Sequence, residues 1–206
     1  MNQLHLPALS DLDPEEAKQI LRGAARTHRK ERSSTAREEA AEKYIPHVLD
    51  FVRGSHRVAC YASVNCEPPT FELCTAIADS GIELLLPKLG PGLTRAWGYF
   101  RGIDDLEQMA PGRPPEPTGP AFDNSILGSV DAMIIPALLV SHTGERLGQG
   151  GGWYDRALKE TGAHTRTAAL IFTDEYIEES LPQDEMDVPV PYAITSDGLH
   201  RTLADA

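Results

Sequence analysis

The feature that most constrains the fold is a repeated alternation of short apolar segments with segments of helical spacing. Such alternation favours a mostly parallel β-sheet with helices packed on both faces, so we predict an α/β protein. The predicted strands span 57–62, 82–86, 94–101, 130–135 and 167–172, with 138–141 as a further short piece and 192–195 as the last strand. The predicted helices between them span 70–78, 153–160 and 174–180.

Two further helices are predicted before the alternation begins. Residues 13–32 carry Asp13 as an N-cap, Pro14 at the first helical position and Glu16 at capping-box spacing. A second helix is expected to begin near Thr35, with Glu38 as its capping partner. Within the first helix, basic residues recur at every fourth position and therefore share one face: Lys18, Arg22, Arg26 and Lys30.

Proline and glycine residues predict where these elements break. Pro46 is expected to kink or split the second helix, and Pro87 is expected to close the strand at 82–86. Gly81 is expected to stop the helix at 70–78. The proline-rich segment 111–120 is predicted to be an irregular surface connection.

Composition limits the classes of function. The chain has 206 residues, of which 41% are hydrophobic and 24% charged, which suits one domain over residues 1–206. Its formal net charge of -12 argues against nucleic acid and anionic membranes as partners. The most apolar stretch, 130–140, is too short to span a bilayer, and the segment MNQLHLPALS lacks the pattern of a signal peptide. The three cysteines are an odd number without a C-x-x-C pair, which favours reduced thiols in a cytoplasm.

A glycine-rich loop at 144–152 is the segment richest in chemical information. Four of the five residues at 148–152 are glycine, which lets the backbone approach a ligand closely. The loop opens a predicted helix, whose free N–H groups favour an anion, and Arg146 adds a planar donor suited to phosphate oxygens. The spacing matches neither a Walker A loop nor a dinucleotide fingerprint. A phosphate-binding loop is therefore favoured over a merely flexible turn.

The residues that follow the loop admit two interpretations each. Asp155 could stabilise the helix dipole, or it could bind Mg²⁺ beside phosphate oxygens. Trp153 and Tyr154 could be core aromatics, or they could stack on a planar heterocycle.

The segment 146–155 resembles the hallmark of the 5-formyltetrahydrofolate cyclo-ligases, which reads Arg-Leu-Gly-x-Gly-x-Gly, then Tyr or Trp, then Tyr-Asp. The resemblance runs from Lys18 to Ser196, nearly the whole chain. Its weaker elements occur in the family's order: Lys18 and Arg22, Glu67 to Thr70, Leu86-Pro87-Lys88, Glu116-Pro117 and Asp187-Val188-Pro189.

The resemblance implies a three-layer α/β/α sandwich with a mostly parallel sheet, like that of sugar-phosphate isomerases and CoA transferases. It implies a monomeric cytoplasmic ligase that uses ATP and Mg²⁺ to turn 5-formyltetrahydrofolate into 5,10-methenyltetrahydrofolate, with small molecules as its partners. The residues implied to hold ATP are Lys18, Arg22, Arg146, Leu147, Gly148, Gln149, Gly150, Gly151, Gly152, Trp153 and Tyr154. Those implied to bind the folate are Val64, Glu67, Gln149, Gly150, Gly151, Gly152 and Trp153. Arg146 and Tyr154 are the implied catalytic residues, and Asp155 and Asp187 the implied magnesium ligands.

The chain departs from the family pattern at two positions. Pro69 stands where the family has a second acidic residue against the folate, and Pro191 stands where it has a second magnesium-linked aspartate. Both changes remove charge, so a non-catalytic nucleotide- or folate-binding homologue is an alternative. A sugar-phosphate isomerase or an acyl-CoA transferase is a third, supported only by fold-level analogy.

Overall fold

The computed structural model describes residues 4–9, 12–90, 92 and 94–203. Its helices are α1 (Pro14–Glu31), α2 (Ser34–Phe51), α3 (Phe71–Asp79) and α4 (Trp153–Leu158). Its strands are β1 (Arg57–Ala59), β2 (Glu83–Leu89), β3 (Arg95–Tyr99), β4 (Leu106–Glu107), β5 (Glu116–Pro117), β6 (Ala132–Pro136), β7 (Leu139–Ser141), β8 (Arg146–Leu147), β9 (Arg166–Leu170), β10 (Tyr176–Ile177), β11 (Tyr192–Thr195) and β12 (Gly198–Arg201). Single-turn or two-turn 3-10 helices lie at Ile103–Asp105, Asn124–Ser129 and Thr173–Glu175.

A seven-stranded sheet in the order β12-β11-β9-β6-β1-β2-β3 forms the centre of the fold. The five inner strands pair in parallel, whereas β12 and β3 are antiparallel to their neighbours at the two edges. The predicted α/β sandwich with a mostly parallel sheet is therefore confirmed. β7, β8 and β10 form a separate three-stranded sheet, and β4 pairs with β5 alone.

Alternate side chains of the inner strands enter two different cores. Ile134 of β6 belongs to the cluster that α2 and α3 cover, through side chains such as Tyr44 and Ile77. Its neighbour Met133 belongs to the cluster on the opposite face, which Leu158 of α4 helps to cover. Because both faces of these strands are buried, they read in sequence as continuous apolar runs.

Helix α1 packs against the small sheet. Leu21 and Ala25 contact a cluster that includes Leu139 and Leu147 of that sheet. The prediction of Asp13 as N-cap is confirmed, since its Oδ1 accepts the N–H groups of Glu15 at 2.9 Å and of Glu16 at 3.1 Å.

A buried ion pair fixes α1 at its far end. Arg29 donates from Nε and Nη2 to the two carboxylate oxygens of Glu175, each at 2.7 Å. Glu175 is fully buried and also accepts the N–H of Phe172 at 3.0 Å. The pair ties α1 to the turn that follows β9, and so positions the basic face of α1.

Several boundaries differ from those predicted. The helix expected at 174–180 is wrong, because Tyr176 and Ile177 form β10 and pair in parallel with β7. The strand at 192–195 is present but is not the last, because β12 follows it. Glu38 is not the capping partner of α2, which begins one residue earlier than expected under the Ser33 N-cap.

Three proline predictions also need correction, two of them only in part. Pro46 does not split α2, because it lies on the exposed face, where water can satisfy the carbonyl that lacks a donor. Pro87 lies inside β2, opposite Trp97, and β1 already ends opposite Leu85, so no ladder bond is lost there. The segment 111–120 is irregular as expected, except that Glu116 and Pro117 form the buried strand β5.

Three further predictions concern the cysteines, membrane-spanning helices and the N-terminal segment. Cys60, Cys66 and Cys74 are all free thiols, as predicted. In the described part of the chain, no helix has the length and apolar character that a membrane crossing requires. Residues 1–3, 10 and 11, which belong to the segment predicted not to be a signal peptide, lie outside the described residues.

Candidate functional site

A cavity of about 240 Å³ lies at the carboxyl ends of the inner strands. Tyr61 and Ala62 follow β1, Pro87 lies in the second half of β2, and Pro136 ends β6, and all four line this cavity. In open α/β sheets the carboxyl ends of the strands are the usual place for ligands. We call this space the central cavity.

The glycine loop closes one side of the central cavity and is held by α1. Arg22 donates from Nε to the carbonyl of Gly148 at 3.1 Å. Arg26 donates from Nε to the side-chain oxygen of Gln149 and from Nη2 to its carbonyl, both at 3.0 Å. The basic face predicted for α1 therefore packs on the loop and fixes its path.

Two loop positions require glycine for reasons of space and conformation. A Cβ at Gly148 would lie 2.8 Å from Nη1 of Arg146. Gly150 has a φ of +99°, and a Cβ there would lie 3.3 Å from the guanidinium carbon of Arg22. The glycines thus let the backbone pass directly over two buried guanidinium groups.

Arg146 is a buried cation at the head of this loop. It lies in β8, donates from Nη2 to Oδ1 of Asp155 at 2.6 Å, and from Nη1 to the carbonyl of Pro136 at 3.3 Å. Its Nε is buried and has no partner in the described structure. Because a buried donor without an acceptor is costly, this nitrogen is available to a ligand with acceptor oxygens.

Lys18 is a second buried cation that lines the cavity. Its Nζ donates to Oδ2 of Asp184 at 2.7 Å and also to Oδ2 of Asp187. Burial alone would lower the pKa of Lys18, but the two carboxylates outweigh it and raise that pKa above its usual value. Lys18 is therefore charged at neutral pH.

Glu67 forms the acidic wall of the cavity. Its Oε2 accepts the N–H of Val64 at 3.0 Å, and its Oε1 accepts from the side-chain amide of Gln149 at 3.4 Å. Burial raises the pKa of the Glu67 carboxyl above its usual value, and the hydrogen bond from Val64 opposes this only in part. A desolvated carboxylate of this kind favours a ligand that brings N–H donors to it.

An aromatic wall completes the enclosure. Trp153 stacks on the fully buried Trp97, with ring centroids 5.4 Å apart and an interplanar angle of 14°, and meets Tyr154 edge to face at 5.2 Å. The indole Nε1 of Trp153 is buried without a partner in the described structure. Burial raises the pKa of Tyr154 well above its usual value, so its phenol stays protonated and can act as a donor.

All the residues that the sequence predicts for binding and catalysis line this one cavity. Sequence reasoning assigned no role to several others on the same wall: Tyr61, Ala62, Pro87, Pro114 and Pro136. Tyr61, Ala62 and Pro136 lie at or just after the carboxyl ends of parallel strands, a signal that is visible only once the strands are known to be parallel. Asp184 also lines the cavity and pairs with Lys18.

The predicted metal ligands contact cations in this structure. Asp155 pairs with Arg146 and Asp187 pairs with Lys18. Among the described residues, no group of three or more His, Cys, Asp or Glu side chains is placed to hold a metal ion. Two carboxylates nevertheless suit Mg²⁺ when phosphate oxygens and water complete its coordination, so the donor set fits a metal that arrives with a phosphorylated ligand.

Comparison with known proteins gives consistent matches. The sequence profile of the 5-formyltetrahydrofolate cyclo-ligase family matches residues 14–196. The 5-formyltetrahydrofolate cyclo-ligase of Mycolicibacterium smegmatis is 30% identical over 185 residues, which cover 87% of this chain and 93% of that protein.

Solved structures agree. The 5,10-methenyltetrahydrofolate synthetase of Aquifex aeolicus superposes with a TM-score of 0.77 at 27% identity, covering 92% of this chain and 94% of that one. The 5,10-methenyltetrahydrofolate synthetase of Mycoplasma pneumoniae, at 16% identity, shares the fold with a TM-score of 0.66 and covers 86% of this chain and 97% of its own.

Proposed function

The chain belongs to the 5-formyltetrahydrofolate cyclo-ligase family, and on that premise we propose that it converts 5-formyltetrahydrofolate and ATP into 5,10-methenyltetrahydrofolate, ADP and phosphate, with Mg²⁺. One observation carries the proposal. Every residue expected to hold ATP, folate or magnesium lines the same cavity at the carboxyl edge of the sheet. We extend it to a monomeric, single-domain enzyme that works in the cytoplasm on small molecules.

The ATP end of the site is proposed to be the end that carries the cations. Lys18, Arg22 and Arg146 all line the cavity and all are buried, so their charges are little screened by water. Gly148 and Gly150 bring the backbone of the loop close to the guanidinium groups of Arg146 and Arg22. This arrangement suits a triphosphate, because phosphoryl transfer depends mainly on positioning and on neutralising charge.

The folate end is proposed to lie between Glu67 and Trp153. The pterin ring carries an amino group and ring N–H groups that suit the Glu67 carboxylate, and its planar face suits the Trp153 indole. Tyr154, held as a neutral phenol, can donate a hydrogen bond to the formyl oxygen or to the transferring phosphoryl group. Both ends share Gln149, which contacts Glu67 and the α1 residue Arg26.

The reaction then needs two bond exchanges. The formyl oxygen attacks the γ-phosphorus of ATP, the bond to the β-phosphate oxygen breaks, and ADP leaves. N10 of the folate attacks the activated formyl carbon, N10 loses its proton, and phosphate leaves with the former formyl oxygen. We propose that Arg146 neutralises the charge that develops on the transferring phosphoryl group, and its buried Nε, which has no partner in the described structure, supports this role.

Asp155 and Asp187 would hold the magnesium ion, with phosphate oxygens and water as its other ligands. The metal would supply charge neutralisation for the phosphates. For that, Asp155 must release Arg146 and Asp187 must release Lys18, so the cations would turn to the phosphates as the carboxylates turn to the metal. Pro191 supplies no carboxylate, but Asp184 keeps a second one beside Asp187.

The alternative of a non-catalytic homologue rests on the charge that is lost at Pro69 and Pro191. Neither proline lines the central cavity. The charged groups that remain around the cavity favour the enzyme. The deciding experiment incubates the purified protein with 5-formyltetrahydrofolate, ATP and Mg²⁺ and follows the near-ultraviolet absorbance of the methenyl product. We expect product only when ATP and a divalent metal are both present. A rate that is unchanged without ATP would exclude a ligase, and binding of both substrates without product would favour the non-catalytic homologue.

A further inference from the structure

Arg26 of α1 holds Gln149 of the glycine loop at both its side chain and its main chain. Nε and Nη2 of Arg26 donate to the side-chain oxygen of Gln149 at 3.0 and 2.9 Å, and Nη2 also donates to the main-chain carbonyl at 3.0 Å. Arg26 forms no ion pair with a carboxylate among the described residues. Its donors are therefore directed to Gln149.

These contacts determine which end of the Gln149 amide faces Glu67. A guanidinium carries N–H donors and no acceptor, so it binds the oxygen of an amide and not its NH2 group. The Nε2 of Gln149 is thereby turned away from Arg26, and it donates to Oε1 of Glu67 at 3.4 Å. The opposite orientation would place the amide oxygen against the Glu67 carboxylate, which has no proton to donate.

Both oxygens of Glu67 are thus held by donors of the protein. Oε2 accepts the N–H of Val64 at 3.0 Å, and Oε1 accepts from Gln149. Gln149 and Glu67 line the central cavity, whereas Arg26 lines an adjoining cavity that shares these two residues with it. Arg26 can therefore influence the central cavity through Gln149 and Glu67 without lining it.

We infer, resting on the proposed function, that Arg26 is a positioning residue for the folate, because it orients the Gln149 amide, which in turn fixes the Glu67 carboxylate for the N–H groups of the pterin. A carboxylate that is already held loses less conformational freedom when a ligand binds, so its orientation favours affinity. Each of its oxygens keeps a further lone pair for the ligand. The competing explanation is a direct contact of Arg26 with the substrate, which would not depend on Gln149.

A double-mutant cycle separates these two explanations. Arg26→Met removes the donors and keeps an unbranched side chain, and the variant should fold because Arg26 is exposed. Gln149→Leu removes the amide at nearly the same size. The affinity for 5-formyltetrahydrofolate is measured by calorimetric titration in the wild type, in each single variant and in the double variant. A non-hydrolysable ATP analogue is titrated as the second ligand.

Each single variant should bind the folate about three- to tenfold more weakly, which is the effect of about one net hydrogen bond. The double variant should be weaker than Gln149→Leu by no more than about twofold, because Arg26 acts through the amide. Arg26→Lys should lose less affinity than Arg26→Met, but more than none, because one ammonium cannot hold two oxygens as the planar guanidinium does. Affinity for the ATP analogue should change less than folate affinity, since Arg22 still holds the carbonyl of Gly148.

Arg53→Met is the matched control. Arg53 is exposed, pairs with the exposed Asp50 and lines neither cavity, so this variant should bind both ligands as the wild type does. Folate affinity of Arg26→Met within about twofold of the wild type would overturn the inference, and so would losses that multiply in the double variant. A wild type that binds the ATP analogue but no folate would instead overturn the proposed function, and the inference with it.

The pH dependence of folate binding gives a second readout. Burial raises the pKa of the Glu67 carboxyl, and the hydrogen bonds from Val64 and Gln149 and the charge of Arg29 oppose that rise. Because Arg26→Met frees the amide to turn away, the pKa of Glu67 should rise further. As the pH falls, this variant should therefore lose folate affinity at a higher pH than the wild type.

The other groups that face Glu67 do not titrate in that range. Arg29 is held charged by Glu175, and burial raises the pKa values of Tyr61 and Tyr154 well above their usual value. Calorimetric titrations at a series of pH values measure the shift, with Arg53→Met as the control. An identical pH dependence in Arg26→Met and the wild type would overturn the inference.

Discussion

Replacing Arg146 by alanine should separate catalysis from folding. The change removes one hydrogen bond to a carboxylate, at 2.6 Å from Asp155, and one to the carbonyl of Pro136, at 3.3 Å. The hydrogen bond to Asp155 contributes about 1.5–3 kcal/mol to the free energy of unfolding, and the bond to Pro136 about 0.5–1.5 kcal/mol. Removing the unpaired buried Nε has the opposite effect and recovers about 1–3 kcal/mol. The free energy of unfolding should therefore fall by only about 1–2 kcal/mol, which a stable domain tolerates.

The catalytic cost should be larger. Loss of one preorganised charge that acts on the transferring phosphoryl group costs roughly 2–4 kcal/mol, or about 30- to 1000-fold in kcat/KM. Arg146→Lys should recover only part of this, because one ammonium cannot reproduce the planar set of donors that a guanidinium offers to phosphoryl oxygens. The assay is the rate of methenyl absorbance, with chemical denaturation of each variant to measure stability.

The matched control is Arg53→Ala, which removes an exposed arginine whose partner Asp50 is also exposed. It should change neither rate nor stability by more than a small amount, since such pairs contribute about 0–1 kcal/mol. If folded Arg146→Ala retains a kcat/KM within twofold of the wild type, the loop does not act on the transferring group and the reasoning fails.

Two further predictions concern the two acidic parts of the site. Asp155→Asn should strongly raise the magnesium concentration needed for half-maximal rate. Asp187→Asn should raise it more mildly, because Asp184 can substitute for Asp187. A magnesium titration in which neither variant differs from the wild type would remove both residues from the metal site. Glu67→Gln should weaken folate binding by about tenfold, as for loss of one charged hydrogen bond, without weakening binding of a non-hydrolysable ATP analogue. Burial raises the pKa of Glu67, so this carboxylate is protonated at a higher pH than an ordinary glutamate. The folate affinity of the wild type should therefore fall as the pH drops through that raised pKa. Calorimetric titrations of Glu67→Gln should show no such pH dependence. Equal pH dependence in the two proteins would show that another group titrates.

The fold was predictable where local pattern and tertiary environment agree. Strand β6 was found because a strand buried on both faces must be apolar throughout. The start of α1 was found because Asp13 caps it without help from any distant residue. Both features depend on neighbours in sequence, so the sequence alone contained the signal.

The failures occurred where a distant partner decides the conformation. The acidic segment 174–180 has helical composition, but Tyr176 and Ile177 bond to β7, which lies more than thirty residues earlier in the chain. Proline usually ends a strand because it has no N–H group to donate. Pro87 lies beyond the point where β1 ends, so β2 has no ladder bond to donate to β1 at this residue. The half-exposed strand β12 has no strong apolar alternation, and it forms because it pairs with the edge of β11.

For the site, the sequence determined the chemistry and the tertiary structure determined its arrangement. The hallmark at 146–155 fixes a glycine loop, an arginine and a carboxylate at a set spacing, since each depends only on residues close together in the chain. The pairing of Lys18 with Asp187 joins residues far apart in sequence, and it arises because α1 packs on the small sheet beside the carboxyl ends of the strands. The basic face of α1 is a similar case. Its cations are visible in the sequence, but only packing places Arg22 and Arg26 against the glycine loop.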